Sequence, residues 1–155
     1  MSTESVWDYP RPPRLESFSG HLRIVHTGLV LADTNQAYRV LETSHPPTYY
    51  LPQTDIQMDF FQQNPKRTFC EWKGAGAYLD LHLNGKVIKE IGWYYPNPSK
   101  AFAPIENYIA FYASKLDQCF VNDELVQAQP GDFYGGWITS DIVGPFKGAG
   151  GTWGW

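Results

Sequence analysis

Little in this 155-residue chain announces a reaction. It has only two cysteines, Cys70 and Cys119, without the paired spacing of a zinc or redox motif, and their separation does not reveal whether they form a disulfide. The four histidines, His21, His26, His45 and His82, are scattered, so no metal site is expected. Basic residues are short too: 12 Lys and Arg stand against 16 Asp and Glu, a net charge of −4. The pairs Arg11/Arg14 and Lys66/Arg67 fall short of the stripe that a phosphate backbone requires, so nucleic acid is not an expected partner. No apolar run reaches the length of a membrane span and no N-terminal stretch reads as a secretion signal. The expected location is a reducing cytoplasm with two free thiols. No glycine run follows a strand and opens a helix, which removes the phosphate-cradling loop and the dinucleotide fingerprint. A nucleophile elbow is also missing, and no cofactor is expected.

Aromatic residues, in contrast, are abundant: 16% of the chain, with 6 Trp, 10 Tyr and 9 Phe. Such rings favour strands, and they line pockets that need a polar handle at the edge. A hydrophobic fraction of 43% with 18% charged residues describes a folded domain with a real core.

Three parts follow along the chain. Residues 1–19 hold Pro10, Pro12 and Pro13 and read as an extended arm, pinned by rings such as Trp7 and Tyr9. Residues 20–128 read as a β domain. Two-residue turn signals fall at Thr27-Gly28, Asn84-Gly85 and Asn122-Asp123. Leu79, Leu81 and Leu83 alternate with Tyr78, Asp80 and His82 in a clean period of two. "TDIQMDFFQQNP", 54–65, predicts a short helix closing at Pro65, and a second helical turn is expected near Pro104. Residues 129–155, rich in glycine and aromatics, read as an irregular tail packed on the domain. The fold class is mainly β: a single compact antiparallel domain, barrel-like or tent-like, with one or two short helices.

Three stretches carry candidate chemistry. In "TFCEWKGAGAY", 68–78, an extended chain puts Cys70 and Trp72 on one face and Glu71 and Lys73 on the other, with Gly74 and Gly76 allowing a bend before Tyr78. A reactive cysteine needs a nearby cation; on an uninterrupted strand Lys73 points away, and a buried structural thiol is the plainer reading. In "ETSHPPTYYLP", Glu42 and His45 form a candidate acid/base pair, with Pro46-Pro47 fixing the presenting chain and a cis bond conceivable there. The plainer reading is a turn capped by these side chains. In "GWYYPNP", Trp93 and Tyr95 share a strand face opposite Tyr94, placed either to stack on a flat ligand or to pack a core.

The order of "DYPRPPRLE", "YRVLETSHPPTYYLP", "TFCEWKGAGAY", "WYYPNP", "IAFYA" and "FYGGWITSDIVGPFKG" resembles the domain-of-unknown-function family 427, in its long form with an N-terminal proline-rich arm and a glycine/aromatic tail. The resemblance implies a small, mostly β domain found chiefly in bacteria, with no settled activity. It also implies one shared pocket drawn from Glu42, His45, Pro46, Pro47, Tyr50, Cys70, Lys73, Gly74, Tyr78, Trp93 and Tyr95. A nucleotidyltransferase label attached to the family finds little support, because no closely spaced carboxylates suited to Mg²⁺ and phosphates occur. Ile91-Gly92 departs from the smaller residues usual before Trp93.

Two function classes lead. A binding module would wall a small flat or cationic metabolite with Tyr50, Tyr78, Trp93 and Tyr95, oriented by Glu42, His45 and Lys73. A cofactor-free enzyme would use His45 as acid/base, Glu42 as its orienter, and Cys70 as nucleophile or Lys73 as electrostatic stabiliser. A third class, a structural adaptor, would use the arm or tail to contact another chain. Neither the ligand nor the oligomeric state can be read from the sequence.

Overall fold

The computed structural model describes residues 2–131, 134–148, 151–152 and 154–155. The domain is mainly β, built from several small antiparallel sheets, and no closed barrel forms among the described residues. Helical structure is confined to short 3₁₀ turns. The expected two-residue turns are all present: Thr27-Gly28, Asn84-Gly85 and Asn122-Asp123 have positive φ at both central positions, 49° and 77°, 54° and 75°, and 48° and 68°. Such turns match the right-handed strand twist, and they close the hairpins Leu22–His26/Leu29–Thr34, Gly74–Leu83/Lys86–Tyr94 and Gln118–Val121/Glu124–Leu125.

The sheet that carries the site has the order Ala110–Phe111, Lys86–Tyr94, Gly74–Leu83, Phe61–Cys70. Its period-two pleat divides side chains between two apolar clusters. Leu79, Leu81, Tyr94 and Phe111 enter the main core, and Ile91, beside the irregularity at Glu90, joins them out of period. Tyr78, Trp93, Tyr95 and Tyr112 point the other way, into a second cluster. The strand Thr48–Tyr50, in a sheet with Arg14–Phe18 and Ala37–Leu41, repeats the division: Tyr49 and Leu51 face the core, and Tyr50 joins the second cluster.

The helix expected over 54–65 does not form. The chain instead makes 3₁₀ turns at Gln53–Asp55 and Met58–Phe60 and then enters the strand Phe61–Cys70. Tertiary pairing overrides the local signal: Ile56 bridges Ala32, and Gln57 N–H donates to Leu31 O at 2.8 Å. Pro65 is tolerated within the strand because it falls in a register shift between Asn64 and Arg67, where no ladder donor is required. The Asn64 side chain takes up the slack by accepting from Lys66 N–H at 2.7 Å. The expected turn near Pro104 is a 3₁₀ segment, Lys100–Ile105. Cis peptides occur at Arg11-Pro12 and Gly144-Pro145, and those at Pro46 and Pro47 are trans.

The two ends of the chain meet. Glu4–Ser5 pairs in parallel with Ile142–Val143, and Val6, Tyr9, Leu41 and Ile142 form a third small cluster. Arg14–Phe18, at the end of the proline-rich stretch, is a strand paired with Ala37–Leu41. Toward the other end, Trp137 is 1% exposed, part of the main core, and its Nε1–H donates to Phe111 O at 3.0 Å.

Trp137→Ala should therefore cost about 3–5 kcal/mol in urea unfolding, the price range of emptying a large aromatic site. Trp137→Phe keeps much of the ring volume and orphans the Phe111 carbonyl, so its expected loss is smaller, about 1–3 kcal/mol.

Candidate functional site

The second apolar cluster opens onto a cavity of about 490 Å³. Eight aromatic side chains line it: Tyr50, Phe69, Trp72, Tyr78, Trp93, Tyr95, Tyr112 and Tyr134. The pleat explains four of them, since Tyr78, Trp93, Tyr95 and Tyr112 leave neighbouring strand segments on the same side. Trp93 packs on Tyr112 with ring centroids 4.6 Å apart, and Tyr50 meets Trp93 and Tyr95 at 6.4 and 6.3 Å. The Tyr78 hydroxyl lies 3.1 Å from Thr68 Oγ1. Burial pushes the Tyr50, Tyr95 and Tyr112 phenols well above their ordinary range, so these walls present neutral hydroxyls at physiological pH.

The stretch 68–78 is two strands with a turn between them. Phe61–Cys70 ends, residues 71–73 turn, and Gly74–Leu83 begins, with Cys70 facing Gly74 across the ladder. Gly74 has φ +107°, in the region that favours glycine. The turn overturns the expectation that Lys73 points away from Cys70: Lys73 Nζ lies 3.6 Å from Cys70 Sγ. A continuous strand would have separated them; reversing the chain brings them together. Cys70 is half-buried on the cavity wall, whereas Cys119 lies in the main core at 2% exposure, its thiol pushed up to about 12 by burial. Both are free thiols.

His45 and Glu42 also line the cavity, but they do not form a dyad. The Glu42 carboxylate is taken by Arg11, with Nε at 3.2 Å and a second guanidinium nitrogen at 3.1 Å. His45 Nδ1 instead donates to Thr43 O at 2.9 Å, which leaves Nε2 as the acceptor of a neutral ring. Burial drives the His45 pKa below its ordinary value, opposed by the Thr43 contact and by the charge of Glu42. Among the described residues, no hydrogen bond joins His45 to the Glu42 carboxylate or to Cys70. The structure therefore places all eight sequence candidates, Glu42, His45, Tyr50, Cys70, Lys73, Tyr78, Trp93 and Tyr95, around one cavity, without the acid/base coupling between two of them.

Sequence reasoning missed the far wall. Gln129, Tyr134, Gly135 and Lys147 come from beyond residue 128. The available signal was the Gly135-Gly136 pair ahead of Trp137. A Cβ on Gly135 would strike the Trp93 ring, and one on Gly136 would lie 2.6 Å from Pro46 Cγ, so the backbone crosses these groups at a range that only glycine permits. Gly92 is explained the same way, because a Cβ there would come within 2.9 Å of Ala110 O. Tyr112 and Trp72 were also missed; strand register and turn placement bring them in.

Iodoacetamide should label Cys70 well before Cys119 in the folded protein, read by peptide mapping; equal rates would contradict the two environments. His45 supplies a pH signature. Below about pH 6.5 the unfolded chain takes up a proton that the folded His45 accepts only at lower pH, so stability falls as pH drops through that window. His45→Gln should flatten the slope of unfolding free energy between pH 7.5 and 5 relative to wild type.

Among the described residues, no cluster of three or more His, Cys, Asp or Glu suited to a metal ion occurs. No described helix is long and apolar enough to cross a membrane. No curated protein matches the chain. A family model described as Domain of unknown function (DUF427) matches residues 14–122, which takes in seven of the eight aromatic wall residues and leaves 1–13 and 123–155 outside. That match spans well over half of the sequence, and the chain belongs to this family.

Proposed function

We propose that the chain is a small-molecule-binding protein whose ligand is a flat molecule held in the aromatic cavity. The observation that carries this reading is the convergence of eight rings from distant segments on one space of about 490 Å³. That size suits a metabolite, and ligand sites are mostly apolar walls with a few placed polar groups. Here the polar groups are neutral phenols, the neutral His45, the Lys73 ammonium and the Gln129 amide. Tilted and edge-on ring contacts such as Trp93–Tyr112 and Tyr50–Trp93 hold the walls rigid, which lowers the ordering cost of binding. The two unpaired thiols fit a reducing cytoplasm, where we place the protein.

A cofactor-free enzyme is the second reading, favoured by the 3.6 Å contact that sets a cation beside the Cys70 sulfur. Among the described residues no base is engaged with that sulfur, since His45 makes no hydrogen bond to Cys70 and Glu42 is held by Arg11. The adaptor reading loses weight because arm and tail pack against each other within one chain, with Trp7 and Trp155 rings 5.1 Å apart.

Native mass spectrometry of the protein purified from its own host tests the binder. The expected result is a co-purifying small molecule of definite mass, lost from Trp93→Ala and retained by Cys70→Ser. Retention by Trp93→Ala at wild-type stoichiometry would exclude the cavity as the site. Conversion of the molecule to a product by wild type, and not by Cys70→Ser, would decide for the enzyme.

A further inference from the structure

Lys73 sits in the cavity with an unmet electrostatic demand. The residue is 9% exposed, and its ammonium has three hydrogens to donate. The acceptor it finds in the protein is the Cys70 sulfur at 3.6 Å, a weak one. The remaining neighbours are ring faces, with Nζ 6.0 Å from the Tyr95 centroid and 5.7 Å from that of Phe102. Among the described residues, no carboxylate lies within ion-pair distance of it. Buried charges in folded proteins are almost always paired, because taking an ammonium out of water without a counter-charge is costly.

The other charges of the cavity do not answer this demand. Glu42 is held by Arg11, and Glu71 is an exposed rim residue. Lys147, the second cation, already has an acceptor in Trp155 O at 3.4 Å and lies over the Tyr134 ring. Lys73 is also fixed in place. Its carbonyl accepts from Ser99 N–H at 2.9 Å, and Ser99 Oγ donates to Trp72 O at 2.6 Å, so the turn is clamped to the loop beyond Tyr95. An ammonium on an anchored turn, set among rings with only a sulfur acceptor among the described residues, is a receptor for an anionic head on a flat body.

We infer that the ligand of this cavity is a planar aromatic carboxylate, its carboxylate on Lys73 Nζ and its ring along Trp93 and Tyr95. This rests on the binding reading above and adds the charge class to it. Tyr50 and Tyr95 line the same cavity and keep their protons, so they add no competing negative charge.

The test is calorimetric titration with benzoate, 2-naphthoate and indole-3-acetate, each beside its primary amide and its primary ammonium analogue. The expected result is that at least one acid binds, at least about tenfold tighter than its amide, with the ammonium analogue weakest. Lys73→Met should bring the acid down to the affinity of the amide and leave the amide unchanged, and Lys73→Arg should keep the preference. Equal binding of acid and amide by wild type, tightest binding of the ammonium analogue, or an unchanged preference in Lys73→Met would overturn the inference and leave the aromatic cavity standing as a binding site. Failure of every acid, amide and ammonium probe to bind wild type would overturn the cavity reading itself, and this inference with it.

Discussion

Everything at the site depends on strand register. In the sheet built around Gly74–Leu83, successive side chains go to opposite faces, and the two faces have different jobs. Leu79, Leu81, Tyr94 and Phe111 fill the main core; Tyr78, Trp93, Tyr95 and Tyr112 wall the cavity. A slip of one residue in any strand would exchange the sets, sending aliphatic groups to the cavity and phenols to the core. The irregularities hold the register. Between Leu79 and Leu81 the pairing shifts, and there Asp80 Oδ1 accepts from both Glu90 N–H and Asn64 Nδ2, each at 2.8 Å. One carboxylate thus ties three adjacent strands at their two bulges, where ladder bonds are missing. Glu90, at φ +54°, adopts the turn that this capture needs. The register in turn fixes where the hairpin 70–74 ends, and so where Cys70 and Lys73 meet.

A sheet face alone would leave Trp93 open, and the closure comes from outside residues 14–122. The backbone at Gly135 lies against the Trp93 ring, and Gly136 passes over Pro46. Gln129 stitches this crossing, donating through Nε2 to Lys147 O at 2.9 Å and accepting Gly136 N–H at 3.0 Å. Trp137 then anchors the segment in the core. The N-terminal arm completes the frame. Arg39 spans Glu4 and Glu16 at 3.0 and 2.6 Å, and Arg11 joins Glu42, Thr43 O and Trp155 O. Most of the enclosure is therefore supplied by the family-matched segment, with seven of the eight rings and the Cys70–Lys73 turn, and the far wall by Gln129, Tyr134, Gly135 and Lys147.

Much of this was legible in the sequence because its signals are local. Asn84-Gly85 demanded a turn, alternating leucines set a pleat, and Trp93 with Tyr95 had to share a face. What failed needed knowledge of distant partners. The stretch 54–65 carries helix signals, yet Ile56 and Gln57 find backbone partners in Leu29–Thr34 that a helix would forfeit. The relation of Lys73 to Cys70 inverts when three residues turn instead of extending, a choice made by Ser99 and Gly74 together. The Glu42–His45 pair looked sound at a spacing of three, but Arg11, thirty-one residues away, bids for the same carboxylate with a permanent charge. The far wall was hidden because glycines mark a close approach without saying what is approached.

The electrostatics of the cavity follow from these competitions. Among the described cavity residues, the groups able to carry compensating charge are neutral, committed elsewhere or, in Glu71, exposed at the rim. His45 is held neutral by burial, the buried phenols keep their protons, and Glu42 answers Arg11. Of the two cavity lysines among the described residues, Lys147 has a carbonyl acceptor, and Lys73, on its clamped turn, is set among rings whose faces soften its burial without supplying an acceptor. An apolar wall discriminates weakly, since adding or removing a methylene changes binding only modestly. A buried donor discriminates strongly, because a guest without a matching acceptor leaves it unpaired. In this cavity the rings govern how large and flat a guest can be, and Lys73 governs which charge it must bring.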